Sequence, residues 1–363
     1  MQPLSSYLEL IKDKPEFRHT TKDNYSYIDY SFETDETFDN KELCELRGLI
    51  FDTSGNLIRR PLHKFFNYGT KHAPIIKNIN DWLILEKLDG SMLAPFTVDS
   101  THYLGTRAGI TDVSDKATEF AKSKENYFNF IGDMYKVGLT PIFEYISPNN
   151  QIVIKYSESN LILTAIRSIV DGKYCSYETL RMLSSEYNIP LVKAYHFDDF
   201  ESLMSQVTNM EDEGFVLVHK NGQDRVKLKS PYYCQLHKSK DGIRQEKDLI
   251  KLIIDNKIDD LVPFLDETDK KYVLDYQSRF NKGIDAYIKA AIDAECRIVD
   301  LLPIINKAEF SKVVKYQERF ADWVLYAAFE NKLNRDFVIS KIERKLGSQK
   351  GVDAMRFLWE TYV

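Results

Sequence analysis

Leu85-Glu86-Lys87-Leu88-Asp89-Gly90-Ser91-Met92 is the stretch on which the reading of this chain turns. It sets one lysine in a K-x-D-G-S frame behind an apolar run at residues 82–85. Such a run, bounded by polar residues, suits a short buried strand ending before Glu86, so Lys87 is expected at a strand end. Asp89-Gly90 is a turn signal, and a glycine there lets backbone N–H groups approach a phosphate with no side chain in the way. Lys87 is therefore a candidate covalent nucleophile. That chemistry needs the neutral amine, yet from a reference pKa of ~10.4 only about one lysine in 2,500 is neutral at pH 7. Reaching the ~7–8 of catalytic lysines requires roughly 3–5 kcal/mol of differential interaction, which nearby cations or a metal can supply. Taken alone, the motif fits a hairpin turn beside a solvated lysine equally well, so the partner segments decide.

The 363 residues allow two domains, and 43% hydrophobic with 13% aromatic residues exclude a disordered chain. No apolar run approaches the ~18–20 residues of a spanning helix, and the first residues lack the charged-then-apolar pattern of a signal peptide. A soluble, cytoplasmic protein with no membrane partner is expected. Cys44, Cys175, Cys234 and Cys296 are scattered, without C-x-x-C or zinc-ligand spacing, which points to reduced thiols. A net charge of −6 argues against a broadly basic nucleic-acid coat, so any such partner must be held by local patches.

Residues 4–11 read as a helix, followed by an aromatic, acidic stretch through Tyr30, Phe32 and Phe38. Residues 47–61 read as two strands joined by a Gly/Asn turn. Lys64-Phe65-Phe66-Asn67 sets two aromatics behind a lysine, which suits core packing or a base or ribose wall beside phosphate contacts. Residues 103–109 read as a strand and turn that include Arg107, and residues 113–138 as one amphipathic helix. Glu144 lies in an otherwise apolar strand, where an unpaired carboxylate is costly, so a metal, a hydroxyl or a cation is expected beside it. Glu213-Gly214 precedes a buried strand. In Lys227-Leu228-Lys229 the two lysines share a strand face, where phosphate is the obvious anion to relieve their repulsion. From about residue 243 the chain is helical, with stripes at Val273, Tyr276, Phe280, Ile284, Tyr287 and Ala291, and again at Val313, Tyr316, Phe320, Trp323 and Val324. Pro263 and Pro303 are expected near helix breaks.

In order, K-x-D-G-S at Lys87, T-R-A-G at Thr106, F-E-Y at Phe143, E-G-F-V-L-V at Glu213 and K-L-K at Lys227 resemble the covalent nucleotidyltransferase superfamily of DNA ligases, RNA ligases and mRNA capping enzymes. The upstream R-G-L-I-F and R-P-x-x-K-F-F-N segments narrow the resemblance to the phage RNA ligase 1 family. It implies an α+β fold in two domains. Residues 1–242 would form an adenylyltransferase (ATP-grasp-like ligase) domain of antiparallel sheets with flanking helices, and residues 243–363 an all-α domain that selects RNA. It implies an ATP-dependent RNA ligase that joins 5′-phosphate and 3′-hydroxyl ends through a lysyl-AMP and an RNA-adenylate, as in tRNA anticodon-loop repair. Lys87, Lys227 and Lys229 would be catalytic. Arg47, Lys64, Phe66, Glu86, Asp89, Gly90, Arg107, Glu144, Glu213 and Tyr233 would bind the nucleotide, with Glu144 and Glu213 also serving Mg²⁺ or Mn²⁺. The implied partners are RNA, above all nicked tRNA, and an end-healing polynucleotide kinase-phosphatase, with the chain itself a monomer. One departure stands out: residues 163–167 lack the aromatic that relatives often stack on adenine.

A DNA ligase or capping guanylyltransferase would share the Lys87 motif but usually appends an OB-fold, whereas residues 243–363 offer helices. A non-catalytic RNA-binding protein would have no need of the nucleophile, both glutamates and both lysines together.

Overall fold

The computed structural model describes residues 3–150, 152–262, 265, 267–301, 306–314 and 320–361. Tyr316, Pro263 and Pro303 lie outside them. The chain divides into two compact units, Met1–Cys234 and Gln235–Val363.

The first unit opens with helix α1 (Leu4–Ile11) and strands β1 (Phe17–Thr21), β2 (Ser26–Tyr30), β3 (Leu49–Phe51) and β4 (Leu57–Arg59), which pair in that order as an antiparallel sheet. The β3–β4 turn forms where the Gly/Asn signal stands. Asp52 Oδ1 accepts from the N–H groups of Ser54 (2.9 Å) and Asn56 (2.8 Å), and Gly55 takes φ +81°. Arg59, fully buried, donates to the carbonyls of Gly48, Ala94, Gly105 and Thr106 and so ties this sheet to its neighbour.

The chain continues through β5 (Phe66–Asn67), β6 (Trp82–Glu86), β7 (Ser91–Val98), β8 (Thr101–Gly105), α2 (Asp112–Lys122), α3 (Glu125–Lys136), β9 (Leu139–Ile146) and β10 (Asn160–Ser168). Then follow α4 (Tyr177–Glu186), β11 (Ala194–Tyr195), α5 (Phe200–Asn209), β12 (Gly214–His219), β13 (Arg225–Lys229) and α6 (Pro231–Arg244). A second sheet has the order β10-β9-β7-β8, and a third β11-β6-β12-β13-β5. All neighbours are antiparallel except β13 and β5, which run parallel. The single helix expected over 113–138 is two. The Ser123 hydroxyl donates back to the Phe120 carbonyl (2.7 Å) and Lys124 adopts extended backbone, which starts a new helix. Tyr127, Phe130, Ile131 and Met134 keep the expected stripe and pack on Phe143 and Leu163.

The second unit is helical, built around α7 (Glu246–Ile254), α8 (Ile258–Leu261), α9 (Glu267–Leu301), α10 (Lys307–Val314), α11 (Asp322–Phe329), α12 (Arg335–Glu343), α13 (Gln349–Asp353) and α14 (Phe357–Glu360). The stripe read on α9 is its core face, with Val273, Phe280, Ile284, Tyr287 and Ala291 at 1% exposure or less. Glu246 accepts a bidentate pair from Arg356 (2.6 Å each) and a bond from the Tyr276 hydroxyl (2.6 Å). No described helix is long and apolar enough to cross a membrane.

Gly214 starts β12 at φ +131°, and a Cβ there would meet the Leu228 carbonyl oxygen at 2.0 Å. Gly214→Ala is expected to cost at least about 2 kcal/mol by forcing apart the β12–β13 pair, read as a lowered midpoint in urea unfolding.

Candidate active site

Three neighbouring strands of the third sheet deliver the central charges. β6 ends at Glu86, and the Lys87 N–H donates to the Gly214 carbonyl (2.9 Å), so the lysine leaves the sheet beside the start of β12. Gly214 pairs with Lys229 on β13. The buried Glu213 carboxylate lies between them, its Oε1 2.8 Å from Lys87 Nζ and 3.1 Å from Lys229 Nζ. The anion between neighbouring ammonium groups is thus partly supplied by the protein: it bridges Lys87 and Lys229, whereas the expectation from sequence was a phosphate between Lys227 and Lys229.

Lys227 has no carboxylate partner among the described residues and lies 4.7 Å from the Phe65 ring centre. Burial, reinforced by Arg47, Lys87, Lys64 and Lys229, pushes its pKa down to about 7. Lys87, Lys227, Glu86, Gly90, Arg47 and Glu144 line one cavity of about 240 Å³. The Glu144 carboxyl is pushed up to about 8, chiefly by burial, with Lys87 and Arg47 opposing and Glu213 and Asp89 adding to the rise. Burial also raises Glu86, against the nearby Lys193. No group of three or more His, Cys, Asp or Glu side chains is placed to hold a metal among the described residues. Glu213 is engaged by two lysines; of the two carboxylates that line the cavity, Glu86 and Glu144, Glu144 has no ion pair or hydrogen bond among those residues.

Asp89 is buried and binds in three directions. Oδ1 accepts from the Tyr233 hydroxyl (2.7 Å), Oδ2 accepts from the N–H groups of Val153 (2.7 Å) and Ile154 (2.6 Å), and its own N–H donates to the Tyr156 hydroxyl (3.0 Å). The loop after Lys87 is thereby fastened to the start of α6, where the Tyr233 ring also faces Lys229 Nζ at 4.8 Å. A Cβ on Gly90 would meet the Tyr145 carbonyl oxygen at 2.4 Å, so only glycine fits this turn.

The remaining candidates stand to one side. Phe66, on β5, packs on Phe38 and His72. Lys64 pairs with Glu33, its ammonium about equally far from the Tyr30, Phe38 and Phe66 rings. Both line a second cavity, of about 390 Å³, which shares Phe65 and Lys227 with the first. Arg107 stacks on Tyr30 at 4.7 Å and faces Asp29 at 3.5 Å, and it lines neither cavity. Sequence reasoning missed Tyr156 and Arg225, and from the pair Phe65-Phe66 it carried only Phe66 into the site. Of these, Arg225 carried a signal, since R-V-K-L-K puts three cations on one strand face.

A sequence model of a family described as RNA ligase matches residues 45–233, more than half of the chain. The chain belongs to the RNA ligase family. Every candidate site residue, from Arg47 to Tyr233, lies inside the span matched by the family. A Thermovibrio ammonificans protein provisionally named an RNA ligase is 30% identical over 269 residues, covering 71% of this chain and 70% of that protein. A protein of Autographa californica nuclear polyhedrosis virus, provisionally named a bifunctional polynucleotide kinase/RNA ligase, is 26% identical and covers 72% of this chain and 41% of its own length. A solved Naegleria gruberi RNA ligase variant with ATP and manganese is 18% identical at a TM-score of 0.36, covering 43% of this chain and 51% of its own. This chain therefore spans about half the length of that structure.

Two outcomes follow from the geometry. Asp89→Ala, which removes three hydrogen bonds accepted by a buried carboxylate, is expected to lose about 1–3 kcal/mol of stability in chemical denaturation. A carboxyl raised from 4.5 to about 8 keeps a proton that the unfolded chain has released, so Glu144 withdraws stability as pH rises between those values. Glu144→Gln is expected to melt above the unsubstituted protein at pH 9, with the gap closing toward pH 4, in thermal unfolding without added metal.

Proposed function

We propose that this chain seals RNA ends with ATP through a covalent adenylate on Lys87. The observation that carries the reading is the Lys87–Glu213–Lys229 bridge at the cavity. Glu213 is at hydrogen-bonding distance from the nucleophile and is the base that the geometry offers for its proton. Lys87 Nζ attacks the α-phosphorus of ATP. A P–N bond forms and the bond to the pyrophosphate oxygen breaks; of the two protons that the ammonium gives up, the first passes to Glu213 before attack and the second leaves with pyrophosphate. An oxygen of an RNA 5′-phosphate then displaces the amine, and a 3′-hydroxyl attacks the resulting RNA-adenylate and expels AMP.

Lys229 and Lys227 would stabilise the charge that develops on the phosphate oxygens. Arg47, in the cavity wall, and Lys64, beyond the shared Lys227, suit the triphosphate tail. Burial of Glu144 without a partner favours its protonated form, and a divalent cation would reverse that preference, so the residue fits Mg²⁺ or Mn²⁺. With two carboxylates at most, such an ion would complete its shell with phosphate oxygens and water. When bound, it would neutralise phosphate charge and polarise the α-phosphate. Thr164 stands where an aromatic is absent, so aliphatic walls such as Val192 and Val216 would flank the base.

For the RNA, we propose nicked tRNA anticodon loops in the cytoplasm, sealed by a monomer after a kinase-phosphatase has healed the ends, with residues 243–363 selecting the RNA. The viral relative, whose name joins kinase and ligase in one chain, supports that pairing.

Incubation with α-labelled ATP tests the reading. The protein is expected to take up label that Lys87→Ala does not, and labelling of Lys87→Ala to the same extent would overturn it. Lys229→Ala is expected to slow labelling roughly 10²- to 10³-fold while the fold stays intact by circular dichroism. Sealing of a cleaved tRNA is expected to exceed that of a linear oligonucleotide carrying the same ends.

A further inference from the structure

Four arginines are buried in the first unit: Arg59, Arg60, Arg167 and Arg225. Three are occupied by protein acceptors. Arg59 donates to four carbonyls, Arg167 to the carbonyls of Gly172 and Pro61 and to Glu45, and Arg60 reaches Glu45 and the Tyr7 hydroxyl. Arg225 differs. Among the described residues its guanidinium has no carboxylate or carbonyl acceptor, and its Nε, like that of Arg60, has no hydrogen-bond partner. Its contacts are with Tyr174, whose ring lies 4.1 Å below it and is shared with Arg167 at 4.7 Å. Of the four, Arg225 alone lines the Lys87 cavity. A rigid donor fork, buried, with its Nε unpaired and no acceptor beyond the Tyr174 hydroxyl among the described residues, is complementary to an acceptor that the protein does not supply.

Its position says which one. Arg225, Lys227 and Lys229 alternate on one face of β13, so Arg225 stands roughly 13 Å along the strand from the lysine that shares Glu213 with Lys87. Two directions lead away from Lys227. One enters the second cavity, with Lys64, Lys71 and His72, and suits a triphosphate tail. The other is walled by Leu62, Phe65, Val192 and Val216 and suits a sugar and a flat base, with Arg225 and Arg47 as its cations other than the lysines.

We infer that Arg225 is a specificity-determining residue that donates a hydrogen bond to a ring nitrogen of the purine base of the nucleotide. The inference rests on the adenylation reading above. A guanidinium placed this way rewards a base with an in-plane acceptor and penalises one in which that nitrogen is carbon, because the fork is then left unpaired.

The test measures kcat/KM for label transfer to Lys87 by the full chain, with ATP and its 1-deaza, 3-deaza and 7-deaza analogues. The unsubstituted protein is expected to lose roughly ten- to a hundredfold with one of the three, which also names the atom. In Arg225→Met that analogue and ATP are expected to agree within about twofold, the pattern of a removed pairwise interaction. Equal use of all four nucleotides by the unsubstituted protein would overturn the inference. So would an Arg225→Met protein that loses the same factor with every nucleotide, as a packing role or a phosphate contact in the wider cavity of about 600 Å³ that Arg225 also borders would give. Should Arg225→Met fail to fold, Arg225→Lys keeps the charge but not the fork and is expected to shrink the analogue penalty; an unchanged penalty would count against the inference. No label on the unsubstituted protein would remove the adenylation reading itself, a result separable from the analogue pattern.

Discussion

The site depends on a single carboxylate that serves two ammonium groups. Glu213 is almost fully buried, and a lone charge there would be paid for heavily in lost hydration, while Lys87 and Lys229 on neighbouring segments would repel each other. Sharing one oxygen resolves both problems, at 2.8 and 3.1 Å. It also commits the end of β6, the start of β12 and the end of β13 to one arrangement, because a lysine that strayed would leave the carboxylate half-compensated. Lys227 is left outside this settlement and is correspondingly inclined to lose its proton or to find an external anion.

Around this bridge, buried hydrogen bonds do what packing alone cannot. Asp89 gathers a hydroxyl from Tyr233 and two backbone N–H groups from residues 153 and 154, so the loop after Lys87 is set by oxygen acceptors. Arg59 performs a related task between sheets by collecting four carbonyls that would otherwise face a dry interior without donors. The glycines at 90 and 214 are permissive for a steric reason, since a carbonyl oxygen of another strand stands where their Cβ would be.

Much of this was legible in the chain. The apolar run before Glu86, the Asp-Gly turn and the alternation of Lys227 and Lys229 are local patterns with a period of two, and local patterns survive folding. The helical stripe of α9 was readable for the same reason with a period of 3.6. Glu144 was readable as a carboxylate in need of company, although its electrostatic neighbours come from several separate segments. What could not be read depends on distant pairing. Phe65 rather than Phe66 borders the Lys87 cavity because β5 joins β13 in parallel, a contact between residues about 160 positions apart that no window captures. The alternation of R-V-K-L-K put Arg225 on the face of the two lysines, but its place on Tyr174 and in the cavity depended on distant segments. The break between α2 and α3 falls at Ser123 and Lys124, where a hydroxyl bonds back to the helix and the backbone turns extended.

The alternation along β13 has a bearing on how the sheet assembles. Val226 and Leu228 face a core with Ile84 and Leu217, while the three basic residues face the opposite way. A slip of one position against β12 would drive three positive charges into hydrocarbon and expose two aliphatic side chains. Mispaired alignments are therefore selected against during folding by the same groups that would later handle phosphate, so the chemistry of the pocket acts as a proofreader of its own scaffold.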